Sequence, residues 1–98
     1  MSKTKTKYPN HLTRYRERLG LTQEQLAKIV SCRTTKTIRR IESGTMLPRV
    51  GTMFRLSAAL RIPVEFIYQE TYLTVREEVR AAEERMPKGR QGVLPLPL

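Results

Sequence analysis

Residues 21–44 read LTQEQLAKIVSCRTTKTIRRIESG. Two short helices joined by a tight turn account for this stretch, and the second of them is basic and Thr-rich. Thr22 can N-cap the first helix, and Gln25, three residues on, can close a capping box. Leu26, Ala27, Ile29 and Val30 then supply an apolar face at helical spacing. Ala27 is small, as a close helix crossing needs. Ser31, Cys32 and Arg33 break the period and make the turn. Thr34 is the natural N-cap of the second helix, predicted from about Thr35 to Ser43. Ile38 and Ile41 form its buried side. Thr35, Lys36, Arg39 and Arg40 lie elsewhere around it, and Gly44 ends it in the left-handed position after the C-cap.

That pairing has the form of a helix-turn-helix, whose second helix reads DNA. GLTQEQLAKIV, then TIRRIESG, then Pro48 four residues after Gly44, together resemble the Cro/Xre-type repressor family. The resemblance runs from Leu12 to Tyr68. The family has one residue fewer between the LA pair of the first helix and the IE pair of the second. The extra residue falls within Ser31–Arg33, where family members carry Gly-Val, so a longer turn is expected. The resemblance implies an all-α fold: a five-helix repressor-like domain, here followed by an extra C-terminal helix and a Pro-rich tail. It implies that Thr35, Lys36 and Arg40 read bases and that Gln23 donates to phosphate. It also implies that Arg16 pairs with Glu42, the Glu of the IE motif. A partly buried carboxylate near a helix end needs such a partner, and a guanidinium can answer it bidentately.

Charge points the same way. The 98 residues carry 19 Lys and Arg against 9 Asp and Glu, a net +10. Residues 1–69 hold 14 basic and 4 acidic side chains, whereas residues 70–98 hold 5 of each. The whole excess therefore sits on the helix-turn-helix segment and its N-terminal arm. Double-stranded DNA is the favoured partner, because neutralising phosphates releases counterions. The basic residues form no single amphipathic stripe, which argues against a membrane surface. No run reaches the roughly 18 apolar residues of a membrane span, and MSKTKTKYPN lacks the apolar section of a signal peptide, so a cytoplasmic location is expected.

Lone Cys32 excludes a disulfide framework and a cysteine-rich zinc site. The simple reading is a small apolar plug in the turn. A redox role would need a lowered pKa, which neighbouring Arg33 would favour.

Residues 1–9 show no apolar period. Lys3, Lys5 and Lys7 alternate with Thr, which reads as a solvated arm that orders along DNA. Asn10 can cap a first helix from His11 to Leu19, closed by Gly20, with Leu12, Tyr15 and Leu19 on one face. His11 has no second ligand in view and is read as structural or exposed. With the arm at 1–9, the DNA-binding domain occupies residues 10–69.

After the loop at Pro48, a fourth helix is predicted from about Val50 to Leu60. Val50, Met53, Phe54, Leu56, Ala59 and Leu60 make it the expected central core helix. Pro63 opens a short fifth helix, with Val64, Phe66 and Ile67 closing the core. In residues 70–86 the pattern changes. Tyr72, Val75, Val79, Ala82 and Met86 recur at spacings of 3, 4, 3 and 4, a two-heptad seam. Two heptads are too short for a free coiled coil. The helix therefore packs on its own domain or pairs with its copy in a dimer, and the dimer is the preferred reading. Residues 87–98, PKGRQGVLPLPL, cannot be helical.

The leading functional reading is a sequence-specific repressor that binds an inverted repeat as a homodimer. Thr35 and Lys36, near the N-terminus of the reading helix, point toward base edges, and Arg40, one turn on, can reach a guanine. Arg49 after Pro48, with Arg39, Thr34 and Thr37, falls to the backbone. The alternative is an antitoxin-type or co-regulator module that meets a protein through the C-terminal helix or tail. An enzyme has little support. There is one His, no Asp, and no nucleophile, carboxylate-pair, phosphate-loop or metal-spacing motif. No cofactor is called for.

Overall fold

The computed structural model describes residues 6–87. These form six helices and no strand: α1 Leu12–Arg18, α2 Gln23–Ile29, α3 Thr35–Glu42, α4 Val50–Leu60, α5 Val64–Ile67 and α6 Gln69–Glu84. Local chemistry sets the ends. At α2, Gln25 N–H donates to Thr22 Oγ1 at 3.0 Å, and Thr22 N–H donates to Gln25 Oε1 at 2.9 Å. The capping box read in the sequence is present. Thr34 takes the extended N-cap conformation before α3, but its side chain makes no capping hydrogen bond.

The C-termini of α1, α2 and α3 share one device. After α3, Gly44 has φ +82 and its N–H donates to Ile41 O, while Thr45 N–H reaches Arg40 O. That crossed pair satisfies carbonyls the helix leaves free. Gly20, with φ +72, ends α1 in the same way. In α2 the left-handed residue is Ser31, at φ +60, with Cys32 N–H on Ala27 O. The longer turn thus begins with a side-chain-bearing residue where glycine is favoured.

Leu12, Leu26, Ile38, Ile41, Leu56 and Ile67 are fully buried and join one core. Each buried side chain of this size contributes about 1.5–3 kcal/mol. α3 packs against α2 and α1, and Ala27, 3 % exposed, lies at the α2 side of that contact. Several apolar residues expected inside are not there. Val50, Phe54, Phe66, Ile29 and Leu19 are all exposed. On α4 the inward stripe is Met53, Leu56 and Leu60. Val50 and Phe54 are four apart on a neighbouring stripe, displaced by about 100° per residue from Met53. α4 is therefore half core and half apolar surface, and α5 closes the core through Ile67 and Tyr68 rather than Phe66.

The arm departs from the solvated reading at its inner end. Tyr8 N–H donates to Gly44 O at 2.9 Å and the Tyr8 side chain packs against the core. Asn10 links three segments. Its Oδ1 accepts from Leu12 N–H, and its Nδ2 donates to Tyr8 O and to Ile41 O. It starts α1, as expected, and also ties the arm to the end of α3.

Candidate nucleic-acid interface

Ile38 and Ile41 pin α3 by two fully buried side chains. At about 100° per residue, the direction opposite them holds Lys36 and Arg40, with Arg39 on the flank. All three are exposed. Thr35 and Thr37 are partly buried at the first turn, and Thr34 is exposed at the N-cap. Lys36 and Arg40, one turn apart, thus share the outward surface of α3, while Thr35, partly buried, lies about 100° round the helix from Lys36 at the first turn. Arg49 is the exposed N-cap residue of α4, held by buried Pro48. Among the described residues, no carboxylate lies within ion-pair distance of Lys36, Arg39, Arg40 or Arg49. Their charge is left for an outside anion, and a DNA backbone supplies one at regular spacing.

The scaffold behind α3 is ionic. Arg16 Nε donates to Glu42 Oε2 at 2.5 Å and Nη2 donates to Oε1 at 3.3 Å. Arg16 Nη1 also holds Leu21 O at 2.7 Å. The Glu42 side chain is 6 % exposed and that of Arg16 11 %. Hydrogen bonding to Glu42 raises the Arg16 pKa above its ordinary value, so the guanidinium stays charged. Gln23 completes the cluster, its Nε2 donating to Glu42 Oε1 at 2.8 Å. One carboxylate therefore fastens α1, the start of α2 and the end of α3.

Lys7 is exposed and precedes the Tyr8–Gly44 hydrogen bond, so the arm departs beside the C-terminus of α3. Lys3 and Lys5 lie outside the described residues. The bonds by which Asn10 and Tyr8 tie the arm to the end of α3 went unread in sequence, because Ile41 and Gly44 are more than 30 residues away and carry no local signal.

Cys32 is partly buried in the turn, as a plug requires. Burial pushes its pKa up, and Arg55 rather than neighbouring Arg33 is the cation that opposes this. A thiol so placed is protonated and weakly nucleophilic. His11 Nε2 lies 3.0 Å from Glu70 Oε2 and its N–H donates to Ile67 O, joining the start of α1 to the start of α6. No group of three or more His, Cys, Asp or Glu gathers among the described residues. None of their helices is long and apolar enough to cross a membrane.

α6 contains no buried residue. Tyr72, Val75, Val79 and Met86 are 44 %, 46 %, 49 % and 43 % exposed, and Ala82 is exposed too. Tyr72 and Val75 share a groove with residues of α4 and α5, and the described residues leave all five positions exposed.

A family model described as helix-turn-helix matches residues 12–67. No curated protein matches the chain.

Proposed function

The chain belongs to the Cro/C1-type helix-turn-helix family, a family of DNA-binding transcription regulators, and from that premise we propose that it is a repressor that binds an inverted-repeat operator as a homodimer. The observation that carries this is the division of α3. Ile38 and Ile41 are wholly buried, while Lys36, Arg39 and Arg40 face outward without acidic partners. Inserted in the major groove, Lys36 and Arg40 meet base edges, with Arg40 bidentate to a guanine and Thr35 at the first turn. Arg39, Arg49, Thr34, Thr37 and the start of α2 at Gln23 meet phosphates, and Lys3, Lys5 and Lys7 extend the basic track. Binding occludes a promoter, with no chemistry required. The open seam of α6 supports the dimer, since a helix packed on its own domain would have buried Val75 and Val79.

Selection from a random DNA pool tests this reading. The expected product is an inverted repeat with half-sites about 10 bp apart, one turn of DNA, or a multiple of it. Recovery of a single unsymmetrical site would remove the dimer on DNA. No enrichment would remove sequence-specific binding. The apolar surface of α6 also supports a second reading, a regulator whose main partner is another protein, in the manner of an antitoxin. Co-purification of an unrelated protein in fixed ratio, released by changes at Val79, would favour it.

A further inference from the structure

Beside the root of α6 the structure holds an open groove of about 400 Å³, lined by Leu47, Met53, Val64, Tyr68, Tyr72 and Val75 among others. Its lining is almost entirely apolar, and its one charged residue is acidic, Glu65. α4, which lends Met53 to the groove wall, also carries an apolar projection. Phe54, 66 % exposed, follows Met53, and Val50, 67 % exposed, lies one turn earlier on the same stripe of α4. No described residue buries either side chain.

We infer that the groove receives Phe54 of a second copy of this chain, so that the dimer is built on α4 and the groove as well as on the seam of α6. The inference rests on the homodimer reading above and names its interface.

Area supplies the first argument. The exposed parts of Tyr72, Val75, Val79, Ala82 and Met86 amount to on the order of 400 Å² per chain, about half of what a stable interface takes from each partner. Leu47, Val50 and Phe54 bring the sum to on the order of 700 Å², near that requirement. Continuity is the second argument. Tyr72 and Val75 belong to both the seam and the groove lining, so one partner can cover both without a break.

Symmetry is the third. Projection and groove share α4, since Met53 lines the groove and Phe54 is the next residue. A two-fold axis between them places each Phe54 in the other chain's groove, and the assembly closes at two copies. Charge is compatible as well. Two chains of net +10 repel, but the groove lining contains no Lys or Arg. An aromatic side chain in a desolvated pocket at the centre of a contact is the usual energetic anchor of an interface.

Sedimentation equilibrium of the full chain and of Phe54→Glu tests the inference, with Phe66→Glu as a control. Phe66 is also exposed but sits on α5, outside the Val50–Phe54 stripe of α4. At concentrations where all three proteins are monomers they should melt alike, because both positions already face water. The wild type and Phe66→Glu should share one dimer dissociation constant, and that of Phe54→Glu should be at least about tenfold weaker. In a dimer mixed from labelled and unlabelled chains, filtered NMR should show contacts between the Phe54 ring of one chain and Tyr72 or Val75 of the other. A Phe54→Glu dimer as tight as the wild type, or filtered spectra without those contacts, would overturn the inference and leave the homodimer standing. A wild type that stays monomeric to about 100 µM would overturn the homodimer reading itself.

Discussion

Glu42, at the end of the reading helix, lies under the guanidinium of Arg16 from the first helix, Nε to Oε2 2.5 Å, with both side chains nearly out of solvent. Of all the contacts behind α3, this one joins the most segments. Glu42→Ala should cost about 3–5 kcal/mol in chemical denaturation, because buried Arg16 then keeps only the exposed Glu17, 4.0 Å away, as a counter-charge. Removing both partners should recover part of that loss. Strictly additive single and double effects would show that the two side chains do not couple.

Arg40 extends from the opposite side of the same helix. Arg40→Ala should cost about 1–3 kcal/mol on the best selected site if the guanidinium is bidentate to guanine. On random DNA it should cost far less. Fluorescence anisotropy on both DNAs at one salt concentration separates the cases. An equal loss on the two would assign Arg40 to phosphates, and Lys36 would become the main base reader.

The helix boundaries were legible in sequence for a physical reason, whereas the Arg16–Glu42 pair, 26 residues apart, was legible only through the resemblance to the Cro/Xre-type family. Caps such as Thr22–Gln25 and Gly44 act within a few residues, so the signal is local. The facing of Phe54, Val50, Phe66 and Ile29 was not legible. Apolar spacing marks a stripe on a helix without saying whether the chain itself or a partner covers it. α4 carries two such stripes side by side, and only the Met53–Leu56–Leu60 stripe found the core. Asn10 was readable as a cap, but its bond to Ile41 O crosses 31 residues and depends on the fold already being formed. In the interface, the outward set on α3 followed from the burial of Ile38 and Ile41. The inward turn of the Gln23 amide toward Glu42 did not, because the resemblance assigns Gln23 to a DNA phosphate, whereas here its Nε2 donates to Glu42 Oε1.

Tyr68 offers a test of the core. It is 5 % exposed, and its hydroxyl is buried with no hydrogen-bond partner among the described residues. Burial pushes its pKa up to about 12. Since the unfolded phenol ionises near 10, the raised folded value stabilises the native state below pH 10. That stability is lost as pH rises from 10 toward 12. Tyr68→Phe should leave the fold intact and gain about 1–3 kcal/mol near neutral pH, the desolvation cost of an unpaired hydroxyl. Its melting temperature should also fall less steeply between pH 10 and 12. Equal alkaline slopes in the two proteins would show that Tyr68 titrates as it does in the unfolded chain.

Val79 lies at the middle of the α6 seam, beyond the groove and 49 % exposed in the single chain. A charge there is tolerated by the fold, since the side chain already meets water. Across a dimer seam, a Val79→Glu change buries part of two like charges and removes two apolar contacts. The variant should melt as the wild type does at concentrations where both are monomers. It should sediment as a monomer where the wild type is a dimer, with dissociation weakened at least about tenfold. On DNA the variant should lose cooperative occupancy of an inverted repeat while keeping its weak affinity for one half-site, because α3 and its Arg16–Glu42 support are untouched. A Val79→Glu protein that still dimerises as the wild type would move the interface off α6. The Phe54 face of α4 would then carry the contact without the seam, and Phe54→Glu alone would decide between the two.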